Sequence, residues 1–271
     1  MSSTDIDAFK SKLRSARKIA FLTGAGVSAE SGIDTFRGAG GLWRRHDVTS
    51  LATPEAWDKD PGLVWEFFNH RRQTMLPCEP NPAHRALAAL EARWQQAGGT
   101  FTLLTQNIDG LHEASGSRNV VRMHGSIWQV RCLACGEVVD NRDVPITPAF
   151  EGSGSPDPDT GARRFTEADL PHCPCGGVQR PHVVWFGEML ASKDLVASAD
   201  AIDKCQVLVV VGTSAVVYPA AGLVPLAKRY GTVVAEVNVE PSGVSGLCDF
   251  FFQGKAGEVL PSLLDVTPAL A

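Results

Sequence analysis

The chain has 271 residues, of which 44% are hydrophobic and 20% charged, with a formal net charge of −5. A sequence of this size and apolar content buries about 75% of the surface its extended form exposes, which excludes general disorder. Wholly apolar runs such as Val207–Val211 fall far short of the roughly 20 residues of a membrane span, and an acidic chain without a basic run is no phosphate-gripping nucleic-acid binder. Neither membrane nor nucleic acid is therefore expected as a partner. The opening MSSTDIDAFKSKLRSARK lacks an apolar signal core, so a cytoplasmic location is expected.

In chain order, the apolar run Ile19–Leu22 reads as a strand that enters Thr23-Gly24-Ala25-Gly26-Val27-Ser28. Glycines at a strand end let the backbone approach a phosphate, and a helix starting near Val27 would aim its free N–H groups at that charge. The turn is neither GxGxxG nor GxxxxGK[ST], so a purely structural tight turn remains an alternative. Residues 38–80 carry Trp43, Trp57, Trp65, Phe67 and Phe68 among prolines, with one helical pattern near Pro61–Met75. Asn81-Pro82 then predicts a capped helix with Leu87, Leu90 and Trp94 on one stripe, stopped by Gly98-Gly99.

Further strands are expected at Phe101–Thr105, Val120–Met123, Val183–Phe186, Val207–Val211 and Val233–Val237. Several end in glycine or small polar groups: the Gln106-Asn107-Ile108-Asp109 run with its three polar side chains after the first, His124 after the second, Gly212-Thr213-Ser214 after the fourth, and Asn238 and Glu240 on either side of Val239 after the last. In an open parallel sheet, ligands bind at such strand ends, and the glycine turn together with the ends after Thr105, Val211 and Val237 makes four that predict a nucleotide site. His124 at that edge is a candidate general base. The expected fold is α/β, a doubly wound Rossmann-like parallel sheet with a smaller inserted module. Residues 1–37, 81–125 and 181–271 form the large domain, and 38–80 (helical) and 126–180 (zinc-binding) the small one.

Of seven cysteines, four form two close pairs, Cys132/Cys135 and Cys173/Cys175. Four thiolates fit a tetrahedral zinc with no open position, hence a structural metal. A redox pair is the rival reading, but a thioredoxin-like CxxC opens a helix after a strand, whereas Gly136 and a strand-like Glu137-Val138-Val139 follow Cys135.

Together GAGVSAESGIDTFRG, TQNIDGLH, the Met123-His124-Gly125 step, the cysteine pairs, PHVVWFGE, GTSAVVYPAA and Val237-Asn238 resemble the sirtuins, NAD-dependent protein lysine deacylases, over about residues 18–258. The resemblance implies NAD as a consumed co-substrate, one structural zinc, and acylated lysine side chains of proteins as substrate. The acyl oxygen attacks the ribose carbon that bears nicotinamide, His124 takes a proton from a ribose hydroxyl, and free lysine and an acyl-ADP-ribose result. It puts Gly24, Ala25, Gly26 and Ser28 at the phosphates, and Phe36, Arg37 and Trp43 on the ribose and nicotinamide side. Gln106, Asn107, Ile108 and Asp109 position ribose, nicotinamide and water, with Asn107 at the reacting centre beside His124. Gly212, Thr213, Ser214, Asn238, Val239, Glu240 and Ala256 surround the adenosine half. Val183, Trp185, Phe186, Gly187 and Glu188 on one side and Val217 on the other flank an extended peptide.

GAGGLW, LATPEAW and VWEFFNHRR resemble the sirtuin subgroup that removes acidic acyl groups through a tyrosine and, three residues on, an arginine; here these positions hold Phe68 and Arg71. Acetyl removal is expected, with succinyl or malonyl removal weakened by the missing phenol. Asp34 stands where the family usually has proline or arginine. The rival functions are mono-ADP-ribosyl transfer, a reversible NAD dehydrogenase and a zinc-ribbon binding module.

Overall fold

The computed structural model describes residues 3–35, 42–157 and 163–270. Eleven strands are present among them: β1 (Lys18–Thr23), β2 (Leu42–Trp43), β3 (His46–Asp47), β4 (Thr100–Thr105), β5 (Val120–Arg122), β6 (Gly125–Cys132), β7 (Val138–Asp140), β8 (Gln179–Val183), β9 (Val207–Val211), β10 (Val233–Asn238) and β11 (Phe250–Gln253). Alternate residues of the central strands go to opposite faces, and both faces are apolar. Ile19 and Phe21 enter one hydrophobic cluster and Ala20 and Leu22 another, and Val207 and Val209 part from Leu208 and Val210 in the same way. Strands buried on both sides require a sheet covered by helices on both sides.

That sheet has six strands in the order β11-β10-β9-β1-β4-β5, all parallel. The order is doubly wound, and its direction reverses between β1 and β9, where a crevice opens at the carboxyl ends of the strands. Helices Ser3–Ser15, Pro82–Gln96 and Ala256–Leu263 cover one face through Phe9, Leu13, Leu87, Leu90, Trp94 and Leu260. Ser192–Asp203 and Leu223–Arg229 cover the other through Ile202, Leu223 and Val224. Pro82–Gln96 starts as the sequence predicts: the Asn81 side chain accepts from Ala83 N–H and His84 Nδ1 accepts from Asn81 N–H, closing a capping box. No helix of the described residues is long and apolar enough to cross a membrane.

Two expectations are corrected. No α-helix begins near Val27; Ala25–Val27 and Ala29–Ser31 are single 3₁₀ turns. Ser28 N–H bonds back three residues to Ala25 and its hydroxyl is committed to Asp109, so the segment is held by tertiary partners and does not continue as a helix. The run Val183–Phe186 is not a strand of the parallel sheet. Only Val183 belongs to a strand, β8, which pairs antiparallel with β6 in a separate three-stranded sheet, β7-β6-β8. Beyond it Val184 N–H bonds His124 C=O and Phe186 N–H bonds Ala52 C=O, while Trp185 is buried in a third cluster. The apolar character of this run comes from plugging an aromatic into a neighbouring core. β11, which the sequence reading did not include, completes the sheet edge with Phe252 against the core.

The third cluster joins residues 43–75 to 127–185 through Trp43, Trp57, Trp65, Phe67, Phe150 and Trp185. A buried ion pair ties it together. The Arg44 guanidinium donates to both Glu66 oxygens at 3.0 and 2.6 Å, Gly154 N–H donates to the same carboxylate at 3.0 Å, and Arg44 Nε donates to Ser155 C=O. Both side chains are almost inaccessible, at 7% and 2%. Glu66→Ala leaves a buried guanidinium without its carboxylate, and urea unfolding is expected to register a loss of about 3–5 kcal/mol. A loss below about 1 kcal/mol would mean that water replaces the carboxylate and the pair is not a structural tie.

Candidate functional site

The carboxyl ends of β4, β1, β9 and β10 lie side by side, because Thr23 pairs in register with Thr105 and Val211, and Val211 with Val237. The loops that leave β1 and β9 touch backbone to backbone. Gly24 N–H donates to Val211 C=O at 3.0 Å and Gly26 N–H to Gly212 C=O at 2.8 Å. A Cβ at Gly24 would lie 2.6 Å from the Thr213 Cβ, one at Gly26 2.7 Å from the Gly212 oxygen, and one at Gly212, where φ is 57°, 2.5 Å from Val27 N. These glycines are therefore required by the approach of one loop to the other, and the approach sets the floor of the crevice at the β1/β9 reversal.

A polar network fills this floor. Ser28 Oγ donates to Asp109 Oδ2 at 2.8 Å and accepts from Asn107 Nδ2 at 3.1 Å; the same amide donates to Gly24 C=O at 3.1 Å. Asp109 Oδ1 accepts from Leu111 N–H. Burial raises the Asp109 pKa, opposed by the Leu111 and Ser28 hydrogen bonds. Gln106 Nε2 reaches Thr213 Oγ1 at 3.0 Å, and Asn238 Nδ2 donates to Thr213 C=O at 2.9 Å. Four of the strand ends singled out in the sequence are thus bonded into one cluster through Gln106, Asn107, Asp109, Gly24, Ser28, Thr213 and Asn238.

His124 follows β5. Its Nδ1 lies 2.9 Å from Gln106 C=O, which can only accept, so Nδ1 carries the proton and Nε2 keeps its lone pair in the neutral ring. Burial lowers the pKa of the imidazole, with the Gln106 bond raising it in part. The ring is therefore neutral at pH 7 and equipped to accept a proton at Nε2.

Other predicted positions are spread around this cluster. Ala256 is buried at the start of the last helix, where Glu30 accepts from Gly257 N–H. Val239 and Glu240 are exposed beyond β10, and Ser214 and Ala25 are part-buried on the two switch-point loops. Ile108 packs against the third cluster, to which Trp43 belongs, and Trp43 Nε1 donates to Gly154 C=O, so its side chain is held in the small module's core. Phe36 and Arg37 lie outside the described residues. Phe68 and Arg71 are buried one turn apart on the helix Pro61–Met75, with the Phe68 and Trp185 rings 6.5 Å apart. Phe186, Gly187 and Val217 are exposed. Glu188 is engaged within the chain: Arg180 donates to both its oxygens and Trp185 N–H to Oε2. A separate cavity of about 330 Å³, lined by Trp57, Leu133, Phe165 and Leu170, lies in the small module away from the strand ends.

The sequence reading missed the support beneath the cluster. Thr23 Oγ1 donates to Thr105 Oγ1 at 2.9 Å and lies 3.0 Å from His112 Nε2, while His84 Nε2 is 3.4 Å from Ser28 Oγ and the two imidazoles are 4.8 Å apart. The available signal was the pair of threonines closing adjacent strands. Burial holds both rings neutral, the His84 pKa falling to about 4 and that of His112 well below its ordinary value.

The cysteine pairs meet. All four sulfurs lie within 4.8 Å of one another, with Cys132 and Cys175 Sγ 3.5 Å apart and Cys135 and Cys173 Sγ 3.8 Å apart. Tetrahedral thiolates at the usual zinc–sulfur distance have edges of about 3.8 Å, so the donor set fits zinc. A Cβ at Gly177 would stand 2.7 Å from Cys132 Sγ, so the glycine keeps room for that sulfur. The metal would join the β6–β7 turn to the segment preceding β8 and take no part in chemistry.

Metal analysis is expected to find one zinc per chain, and Cys173→Ser or a strong chelator to lower Tm; an unchanged Tm after complete metal removal would refute the structural role. His84 sets a pH dependence. An unfolded-chain imidazole titrates near about 6.5, above the folded value of about 4, so the unfolded state binds more protons between these values and stability is lost as pH falls through that window. His84→Gln is expected to flatten that slope by up to about 3 kcal/mol between pH 6.5 and 4, measured by urea unfolding at several pH values; an unaltered slope would show that His84 is not held neutral.

Comparison with known proteins agrees with this geometry. The Sir2 family model matches residues 24–219. A zebrafish (Danio rerio) protein named NAD-dependent protein deacylase sirtuin-5, mitochondrial, is 48% identical over 97% of this chain and 87% of its own length. The NAD-dependent protein deacylase of Pyrococcus furiosus is 46% identical over 93% of both chains. The crystal structure of a Sir2 homolog–NAD complex superposes with a TM-score of 0.82 at 38% identity, over 95% of this chain and 92% of that one, and a Sir2–p53 peptide–NAD+ complex with 0.79 at 28%, over 96% and 97%. The doubly wound sheet, the bonded strand ends and this breadth of similarity lead to one conclusion: the chain belongs to the Sir2 family.

Proposed function

We propose that this chain is an NAD-dependent protein lysine deacylase, removing acetyl and related acyl groups from lysine side chains of proteins, consuming NAD and releasing nicotinamide and O-acyl-ADP-ribose. The observation that carries the reading is His124, an imidazole with its proton fixed on Nδ1 by Gln106 C=O, beside the strand-end cluster at the sheet's reversal point. The relatives' names and the NAD complex of the Sir2 homolog support the same activity.

The co-substrate supplies a glycosidic bond that breaks readily once nicotinamide can leave. In this reading the residues of the chain orient and exclude. Gly24, Ala25, Gly26 and Ser28 form the wall against the phosphates, where bare backbone at the two glycines lets an anion approach closely. Asn107, held by Ser28 and Gly24, orients the reacting end, and Asp109, engaged by Ser28 and Leu111, braces it. His124 Nε2 accepts a ribose hydroxyl proton. Gln106 positions the ribose and is bonded to Thr213, and Thr213 and Asn238, themselves linked, support the adenosine half with Gly212, Ser214, Val239, Glu240 and Ala256. Holding two reactants in one orientation is where most of the acceleration arises.

The substrate peptide adds between Val183–Glu188 and Ser214–Tyr218, where Phe186, Val216 and Tyr218 are exposed. Phe68 and Arg71 line the acyl end. The domain division at residues 1–37, 81–125 and 181–271 against 38–80 and 126–180 belongs to the same proposal, supported by the separate hydrophobic clusters. So does a cytoplasmic setting, supported by seven cysteines without a disulfide. Nucleic acid has no part in it, in keeping with the net charge of −5.

In a nicotinamide-release assay, turnover is expected only when an acyl-lysine peptide and NAD are both present. His124→Ala is expected to lower kcat by at least about a hundredfold, the usual contribution of a general base, with an unchanged unfolding curve. Nicotinamide release that ignores the peptide, or a variant of undiminished rate, would overturn the reading.

A further inference from the structure

The strip Val183–Glu188 leaves β8 toward the helix Ser192–Asp203, and its backbone is tied to three parts of the molecule. Val184 N–H donates to His124 C=O at 3.0 Å and Phe186 N–H to Ala52 C=O at 2.9 Å, while Trp185 N–H turns to Glu188 Oε2 at 2.9 Å. A tight turn ends the strip: Glu188 N–H donates to Trp185 C=O at 3.0 Å, with Gly187 at a φ of 88° that residues with side chains rarely adopt. From β8, Arg180 reaches across this turn. Its guanidinium donates to both Glu188 oxygens at 2.5 and 3.0 Å and to Val183 C=O at 2.9 Å, and lies 3.2 Å from the centre of the Trp185 ring. One side chain therefore grips the first, third and last residues of the strip. The Arg180 side chain is 6% exposed and that of Glu188 23%. Burial raises the Glu188 pKa, but the hydrogen bonds from Arg180 and Trp185 N–H outweigh it and leave the carboxyl below its ordinary value. A lysine at position 180 would be a point charge, unable to fork onto two oxygens and stack on an indole at once.

We propose that Arg180 and Glu188 are positioning residues for the substrate peptide: their ion pair holds Val183–Gly187 in one fixed conformation with which a peptide strand can pair, and both act on the peptide through that backbone. The inference rests on the deacylase reading. Backbone pairing requires a strip already in register, because a strip that must be ordered at the moment of binding subtracts its ordering cost from the affinity. With the clamp closed, that ordering is complete before the peptide arrives. His124 keeps its Gln106 bond, and the strand-end cluster its own bonds, without help from either residue. Opening the clamp therefore weakens peptide binding and leaves the NAD side and the general base in place.

The test is steady-state nicotinamide release by the intact protein, with an acetyl-lysine peptide varied at saturating NAD and NAD varied at saturating peptide. Glu188→Gln is expected to raise KM for the peptide by at least about tenfold, the factor of one lost charge-assisted hydrogen bond, and to hold KM for NAD and kcat within about threefold. Arg180→Gln is expected to show the same split although that side chain is buried, and the double variant to be no worse than the poorer single one, since either change already opens the clamp. Should Glu188→Gln fail to fold, Glu188→Asp keeps the charge on a shorter stem and is expected to raise the peptide KM about threefold, again without the NAD KM. An unchanged peptide KM in these variants, or an equal rise in both KM values, overturns the proposal while the deacylase reading stands. So does a rise confined to the Glu188 variants or additive in the double one, which would mean that the carboxylate meets the peptide itself. Wild-type protein that releases no nicotinamide with peptide and NAD overturns the two together.

Discussion

The contact between two backbone loops at the reversal of the sheet governs the rest of the molecule. Gly24 and Gly26 lean on Gly212 and Thr213 so closely that no Cβ fits at any of the three glycines without displacing main-chain or side-chain atoms. Because the loops touch, the polar groups of neighbouring strand ends come within hydrogen-bond reach: Gln106 meets Thr213, Asn107 meets Gly24, and Asn238 meets Thr213 from the far side. A doubly wound sheet provides a crevice in any case. The packing of bare backbone on bare backbone closes the floor of this crevice and lines it with polar groups.

Below that surface lies a layer of buried hydrogen bonds from which charge has been largely withdrawn. His84 and His112 are held neutral by burial, and Asp109 is pushed toward its protonated form while two donors pull it back. Each group has its donors and acceptors assigned by its neighbours: the Asn81 N–H on His84 Nδ1, the Ser28 hydroxyl on Asp109, the Gln106 carbonyl on His124. Low dielectric strengthens every one of these bonds and fixes the tautomers. His124 therefore reaches the site in the form a base requires.

The small module has a different construction. Its core is aromatic and assembled from distant segments, so it depends on ties: four thiolates suited to one zinc, the Arg44–Glu66 pair, and Trp185 with the Arg180 guanidinium 3.2 Å from its ring centre. Trp185 stands within the strip expected to flank a substrate peptide, and its ring lies near Phe68. The packing of the module and the acyl end proposed beside Phe68 thus share the same side chains.

The strand periodicity, the Asn81-Pro82 helix start and the cysteine spacing were legible in the sequence, because each is a local property of short stretches. The polar residues at successive strand ends could be read for the same reason, and they carried the family resemblance. The sequence alone determined the fold class, the metal donors and the identity of the strand-end groups. Tertiary structure alone decided that the glycine turn is 3₁₀ and not α-helical, that Trp185 belongs to a neighbouring core and not to the parallel sheet, and that Glu188 is spent on Arg180. These depend on partners from 8 to over 130 residues away or on competing hydrogen bonds, and local propensity carries no record of either.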